Sequence, residues 1–512
     1  MMLMQLDLAI PETNLWAIST EITLAVAGIF AMLYNSLRPR DSFVTTVASL
    51  IGLILSAVFL FNLWNGQGFG TTSWNGMIST DNLRISFSFV LIIVSTLTLL
   101  SSSVWLEREK IPAGEYHALL LFATFGMLLM AAGNDLVVIF LGLETSSIAT
   151  YVLAGLRRND PRSNESAMKY FILGSFASAF LLYGMALVYG ATGSTNIAAI
   201  ADRITDANFP ALLIIGAAMM IVGFGFKIAM APFHIWTPDV YEGAPAPITG
   251  FMAGGPKAAA FASFLRVMIT AFPFVPGIAA SSLLHDSWIT ALAVLSIISM
   301  TFGNVAAILQ DNVKRMLAYS SIAHAGYALI GFIGAGVAKN AADREEAMAG
   351  VAFYLLAYAV TNLGAFAIVA LLADKNDRRS NFEDYYGIGF RSPLISFTLS
   401  LFMLSLLGMP LTAGFIGKVL VFRPALEAGN PLLAVAVVAA VINTAISAYY
   451  YLRLIVVMFF RERTADWAEP KVSLLLAAAL IFTAVGVLYL GIFSSRIIES
   501  FSNAPQAIIM KK

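Results

Sequence analysis

Cysteine is absent from the 512 residues and histidine nearly so, with four. Without thiols the chain can form no disulfide, thiolate metal site or iron–sulfur cluster. His117, His234, His285 and His324 are too scattered to suggest a metal cluster. Charge is the second shortage: Asp, Glu, Lys and Arg make up 12% of the chain, against roughly 25% in a soluble domain. That deficit excludes a water-soluble globular enzyme. The 30 basic and 30 acidic residues cancel, which leaves no basic footprint for nucleic acid. Hydrophobic residues supply 59% of the chain, and its mean hydropathy is +0.82.

Apolar runs of about 20 residues recur, the length that a ~30 Å hydrocarbon core demands of a helix. They fall at 14–36, 43–64, 83–105, 115–133, 135–156, 165–190, 210–232, 245–270, 288–309, 313–335, 346–373, 391–422, 431–460 and 471–495. The expectation is an all-α membrane protein of about fourteen spans, one polytopic domain over 1–512. The first run lacks a basic leader and reads as a retained helix rather than a cleaved signal. With the N-terminus outside, the inward loops hold 16 basic residues and the outward segments nine. The positive-inside rule then puts both termini outside.

The chain also contains a repeat. Thr145-Ser-Ser-Ile-Ala149 in the fifth span returns as Tyr319-Ser-Ser-Ile-Ala323 in the tenth. The sixth and eleventh spans both open on Ala-Met, at Ala167-Met168 and Ala347-Met348. The seventh and twelfth each set a lysine near a proline, Lys227 with Pro232 and Lys418 with Pro410. Spans 4–8 (115–270) thus look duplicated as 9–13 (288–460), with 14–105 before them and 471–495 after. An odd number of crossings inverts the second copy, as in transporters that place functional groups on broken helices at the midplane. The 391–422 span would be about 48 Å long if straight, and Gly408-Met-Pro410 interrupts it. Gly223-Phe-Gly225 and Pro232 mark a similar break in the seventh span.

Among the charged residues within these spans, four stand out: Glu144, Lys227, Lys257 and Lys418. A charge at the bilayer centre costs at least ~2.5–3.5 kcal/mol, so such residues mark ion pathways. Glu144 sits roughly 13 Å along its helix, beyond reach of either surface, and Lys227 is its natural candidate partner. Burial penalises an ammonium, which makes buried Lys227 and Lys257 candidate proton carriers near neutral pH. Small residues surround Lys257 in Gly254-Gly-Pro-Lys257-Ala-Ala-Ala260 and leave room for water. For Lys418, five residues from Arg423, snorkelling is the plain alternative. His234 and His324 are candidate proton relays, or simply buried histidines satisfied by one hydrogen bond.

Three longer motifs complete the pattern: Lys227-Ile-Ala-Met-Ala-Pro-Phe-His-Ile-Trp-Thr-Pro-Asp239, Tyr241-Glu-Gly-Ala-Pro245, and Val313-Lys-Arg-Met-Leu-Ala-Tyr-Ser-Ser-Ile-Ala-His-Ala-Gly-Tyr327. Together with the buried charges they resemble the antiporter-like subunits of respiratory complex I, the proton-pumping NADH:quinone oxidoreductase, over essentially the whole chain. The resemblance implies a switch glutamate at Glu144 and a lysine at Lys227 paired with it. It implies a bridging lysine at Lys257 and a residue near the proton exit at Lys418. Lysine rather than glutamate at 418, and a chain that stops after its fourteenth span, point to the subunit N branch. Flavin and iron–sulfur clusters are then expected in partner subunits and no cofactor in this chain. Expected partners are a neighbouring antiporter-like subunit, small membrane subunits and lipid, in a bacterial inner membrane. Gly223-Phe-Gly225 is no dinucleotide fingerprint, because no strand precedes it. A subunit of a multisubunit cation/proton antiporter or membrane-bound hydrogenase remains the nearest alternative, and a purely structural membrane-arm subunit the other.

Overall fold

Apolar runs bounded by capping residues become helices, and little else forms. The computed structural model describes residues 13–38, 42–66, 68–204, 210–463 and 472–502. Arg40, Lys471, Lys511 and Lys512, part of the orientation count, lie outside the described residues. In chain order the helices are α1 (Ser19–Leu37), α2 (Ser42–Asn65), α3 (Asn82–Ser101), α4 (Ser103–Glu109), α5 (Ala113–Ala132), α6 (Leu136–Ala154) and α7 (Pro161–Thr192). Next come α8 (Ile197–Arg203), α9 (Pro210–Lys227), α10 (Thr237–Gly243), α11 (Ala246–Arg266), α12 (Ala279–Ile308), α13 (Val313–Gly336) and α14 (Ala341–Leu372). The chain continues through α15 (Ile388–Arg391), α16 (Pro393–Leu407), α17 (Ala413–Glu427), α18 (Pro431–Phe460), α19 (Leu474–Ile492) and α20 (Ser494–Ser502). A short hairpin pairs β1 (Thr72–Ser73) with β2 (Ile78–Ser79).

Local chemistry explains the helix starts. Asp81, Asp135, Asp160, Asn312, Asn340 and Asn430 each accept a hydrogen bond from a first-turn amide of α3, α6, α7, α13, α14 and α18. Pro161 and Pro431 take first-turn positions, where no intrahelical donor is needed.

Twelve of the described helices are long and apolar enough to cross a membrane. Two of the expected fourteen spans fall short of that measure. α11 keeps 21 residues, but Gly254, Gly255, Pro256 and Lys257 dilute its apolar content. The 391–422 span divides into α15, α16 and α17, with a non-helical stretch at 408–412. There Gly408 and Leu411 adopt left-handed φ values of +93° and +70°. The 210–232 span likewise stops at Lys227, and residues 228–236 run non-helically into α10. The 83–105 span breaks after Ser101 and resumes as α4.

α11, α13 and α14 form the centre, and every residue of α11 is buried. α1, α2, α7, α18 and α19 stand at the periphery and turn Ile29, Phe61, Phe176, Val438 and Ile481 outward. Small residues permit close helix approach: a Cβ on Gly126 of α5 would fall 2.5 Å from the Gly142 carbonyl oxygen of α6. Arg108, Arg157 and Lys314 converge on Asp377 at one end of the bundle. At the other, Arg84 and Glu21 form a buried pair and Arg266 and Asp81 a partly buried one. α11 runs between the two ends.

Candidate functional site: a line of buried lysines

Lys227 is the last residue of α9 and is buried. Its Nζ donates to the Tyr151 hydroxyl at 3.3 Å and faces the rings of Tyr151, Tyr170 and Phe226 at 5.1, 5.4 and 5.8 Å. Such a cage holds a cation through ring quadrupoles. Glu144 does not pair with it directly, contrary to the expectation from sequence. The half-buried carboxylate instead accepts a hydrogen bond from the Ser178 hydroxyl of α7. Tyr151 lies two turns beyond Glu144 on the same face of α6, so that face carries both the acid and the hydroxyl that meets the lysine. Its ring fits because residue 174 of α7 is glycine, where a Cβ would collide with the Tyr151 hydroxyl.

The end of α9 leaves backbone groups that lipid could not satisfy, and protein supplies the partners. Trp236 Nε1 donates to the Phe226 carbonyl at 3.0 Å, and the Ala231 amide donates to Ser299 Oγ at 2.9 Å.

Lys257, mid-way along α11, donates to the Ser321 carbonyl at 2.7 Å and to its hydroxyl at 2.5 Å. The Tyr358 ring lies 5.6 Å from its Nζ. One turn along α13, His324 bonds the Tyr354 hydroxyl through Nδ1 at 2.6 Å and the Tyr451 hydroxyl through Nε2 at 3.2 Å. Tyr451 in turn meets Ser320 Oγ at 2.5 Å. The His324 ring also lies tilted against Tyr358, centroids 4.8 Å apart, and edge-on to Tyr327 at 5.6 Å.

Lys418 completes the line. It is buried and does not snorkel: its Nζ points into the helix break, donating to the Leu407 carbonyl at 2.8 Å and to Thr444 Oγ1 at 3.3 Å. Leu407 ends α16, so the lysine satisfies an orphan carbonyl at the negative end of a helix dipole. The Tyr327 ring lies 4.8 Å from the same Nζ. Lys227 precedes its break and Lys418 follows its own, so the lysine–proline parallel does not hold residue for residue.

His234 is not in this line. Its ring leans on Phe302, centroids 4.6 Å apart, and its Nδ1 is buried without a hydrogen-bond partner. The repeated Ser-Ser-Ile-Ala run explains the contrast between the two halves. At matching places the first copy has Glu144 and Thr150 and the second Ala318 and His324; the acid belongs to one half, the imidazole to the other. Among the described residues no three His, Asp or Glu converge as metal ligands would.

The motif acids Asp239 and Glu242 lie elsewhere, in a half-exposed cluster with Lys169 (2.6 Å to Asp239) and Arg315 (2.8 and 2.9 Å to the two acids). Burial would raise the Asp239 carboxyl, but hydrogen bonds from Lys169 and Arg315 hold it below its ordinary value. Sequence reasoning missed Tyr151, Ser321, Tyr354, Tyr358 and Tyr451. Period-seven spacing of Tyr151 from Glu144 was the one available signal.

Residues 133–443 match the family model described as NADH:quinone oxidoreductase/Mrp antiporter, TM. A curated relative, NADH-quinone oxidoreductase subunit N of Trichlorobacter lovleyi, is 44% identical over 97% of this chain and 98% of its own length. Among solved structures, a chain of respiratory complex I from Thermus thermophilus with bound aureothin is 35% identical, with a TM-score of 0.77, covering 94% of this chain and 99% of that one. A chain of the membrane-bound sulfane sulfur reductase, an archaeal respiratory membrane complex, shares the fold at a TM-score of 0.81 and 24% identity, covering 97% of this chain and 98% of that one.

Proposed function

Because the chain belongs to the NADH:quinone oxidoreductase/Mrp antiporter membrane family, among the N subunits of NADH-quinone oxidoreductase, we propose that it moves protons across a bacterial inner membrane as part of complex I. Partner subunits carry the flavin and iron–sulfur clusters and oxidise NADH. Counting α11 and the α16–α17 pair with the twelve long apolar helices gives fourteen crossings. Two inverted five-helix units and both termini on the periplasmic side complete this reading. Convergence of Arg108, Arg157, Lys314 and Asp377 at one end supports it, since the loops assigned inward by charge meet there.

One observation carries the proposal. Among the described residues Lys227, Lys257 and Lys418 are buried without an ion pair, and hydroxyls, aromatic rings and His324 connect the last two. A structural charge buried in a membrane would be neutralised by a fixed partner; these lysines contact only groups that tolerate either protonation state. Movement at the neighbouring subunit would shift Glu144, and Tyr151 would pass that change to Lys227 by tightening or releasing its hydroxyl. A hydrogen bond to a charged group is worth ~1.5–3 kcal/mol, comparable to the ~2.3 kcal/mol needed per charge against 100 mV. A proton released from Lys227 would reach Lys257 through water, then Ser321 and the tyrosine–His324 cluster, and leave past Lys418.

The test is biochemical. The tagged chain, purified in mild detergent, should bring NADH dehydrogenase subunits with it. The reconstituted assembly should acidify vesicles with NADH and quinone. Companions of a sodium/proton antiporter in their place would overturn the proposal.

A further inference from the structure

Asp377 lies in the loop after α14, at an end of the bundle where basic residues gather, yet its side chain is only 2% exposed. Three cations from separate segments surround it: Arg108 at 3.3 Å, Arg157 at 3.4 Å and Lys314 at 3.5 Å. Each cation also binds carbonyls at a helix C-terminus. Arg108 takes those of Ala370 and Ala373 at the end of α14, Arg157 that of Gly243, and Lys314 those of Glu242 and Ala244 at the end of α10. These are the places where a helix dipole favours positive charge.

Asp377 does the opposite task. Its Oδ2 accepts the amide of Ala246 at 2.9 Å, the first residue of α11. Pro245 precedes that helix and has no side chain able to cap it, so the cap comes from 131 residues away. The far end of α11 is tied down as well, by Arg266 to Asp81 at 2.6 Å. Burial would raise the Asp81 carboxyl, but the Arg266 charge and its hydrogen bonds hold it well below the carboxylate range.

We infer that Asp377 is a positioning residue for proton transfer: by capping α11 from a distant loop, at the meeting point of three cations, it sets the height at which that helix presents Lys257 to Ser321. The inference rests on the proton-path reading of Lys257. A slip of one residue would move Lys257 by about 1.5 Å, enough to lose the 2.5 and 2.7 Å contacts to Ser321.

Ala246→Pro isolates the capping bond. Proline is favoured in the first turn of a helix, so α11 and the three ion pairs persist while the amide proton is lost. Asp377→Asn makes the converse change, removing charge and keeping an acceptor. Helix height can be read directly because the chain has no cysteine of its own. An ideal Cβ at Gly254 lies 3.1 Å from that of Ala359, near the roughly 3.5–4.5 Å of a disulfide. The pair Gly254→Cys with Ala359→Cys, oxidised in assembled complex, therefore reports how α11 sits against α14. In the Ala246→Pro background the yield should change at least threefold, and without the cysteine pair the protons moved per electron should fall. Unchanged cross-linking in Ala246→Pro overturns the inference, and so does altered cross-linking with an unchanged proton ratio. Lys257→Met is the control for the underlying reading: if it leaves the ratio intact, the proton path fails by itself, and the cross-link still decides whether the cap places α11.

Discussion

Gly174→Ala probes the contact between Tyr151 and Lys227 without touching either residue. In the interior of α7 the change should help by ~0.5–1 kcal/mol, because glycine is a poor helix residue. The new methyl group, however, would occupy the space of the Tyr151 hydroxyl. Overpacking of this kind costs ~1–3 kcal/mol, so a net destabilisation of roughly 1–2 kcal/mol is expected, small enough for assembly. The Tyr151 ring must swing away, and Lys227 loses a hydrogen bond worth ~1.5–3 kcal/mol. Reconstituted complex should still reduce quinone with NADH, while the protons moved per electron fall to the level of a Tyr151→Phe variant. Since both changes act through one hydroxyl, the double variant should be no worse than Gly174→Ala alone. A Gly174→Ala complex that pumps as wild type would refute a role for Tyr151 between acid and lysine.

Glu144→Gln keeps an acceptor for the Ser178 hydroxyl, so the complex should assemble, and the lost charge should lower the proton ratio; normal pumping would end the switch proposal. Lys227→Ala, Lys257→Ala and the double variant test a single path: the double should be little worse than the worse single, and additive losses would mean separate roles. Lys418→Arg keeps the charge but holds its proton, because guanidinium does not deprotonate in proteins. Vesicle acidification should therefore drop for arginine and be partly kept for Lys418→Glu, whereas a surface lysine would give the reverse order.

Much of the frame was legible because bilayer thickness and proline chemistry act locally. Lys227, Lys257 and Lys418 stood out as charges in apolar runs, and glycine–proline pairs marked both broken helices. The α9 break came earlier than Pro232 suggested, since Ala229 already takes a left-handed φ of +59°. Partnerships between helices were not legible. Tyr151, Tyr358 and Tyr451 read as ordinary aromatics in apolar helices, and only packing shows which hydroxyl meets which lysine. His234 and His324 looked equivalent in sequence, yet Phe302 covers one and two tyrosines bind the other. Asp377 gave no signal in the sequence, because its burial depends on three cations from distant segments.

The central claim is that Lys257 passes protons along the middle of the chain. Lys257→Met keeps the length of the buried side chain and removes the charge, leaving Ser321 without its donor. The most direct measurement is the ratio of protons moved to electrons transferred by assembled complex carrying this one change, reconstituted in tight vesicles. NADH-to-quinone electron transfer should continue with a reduced ratio; a wild-type ratio would show that Lys257 carries no proton.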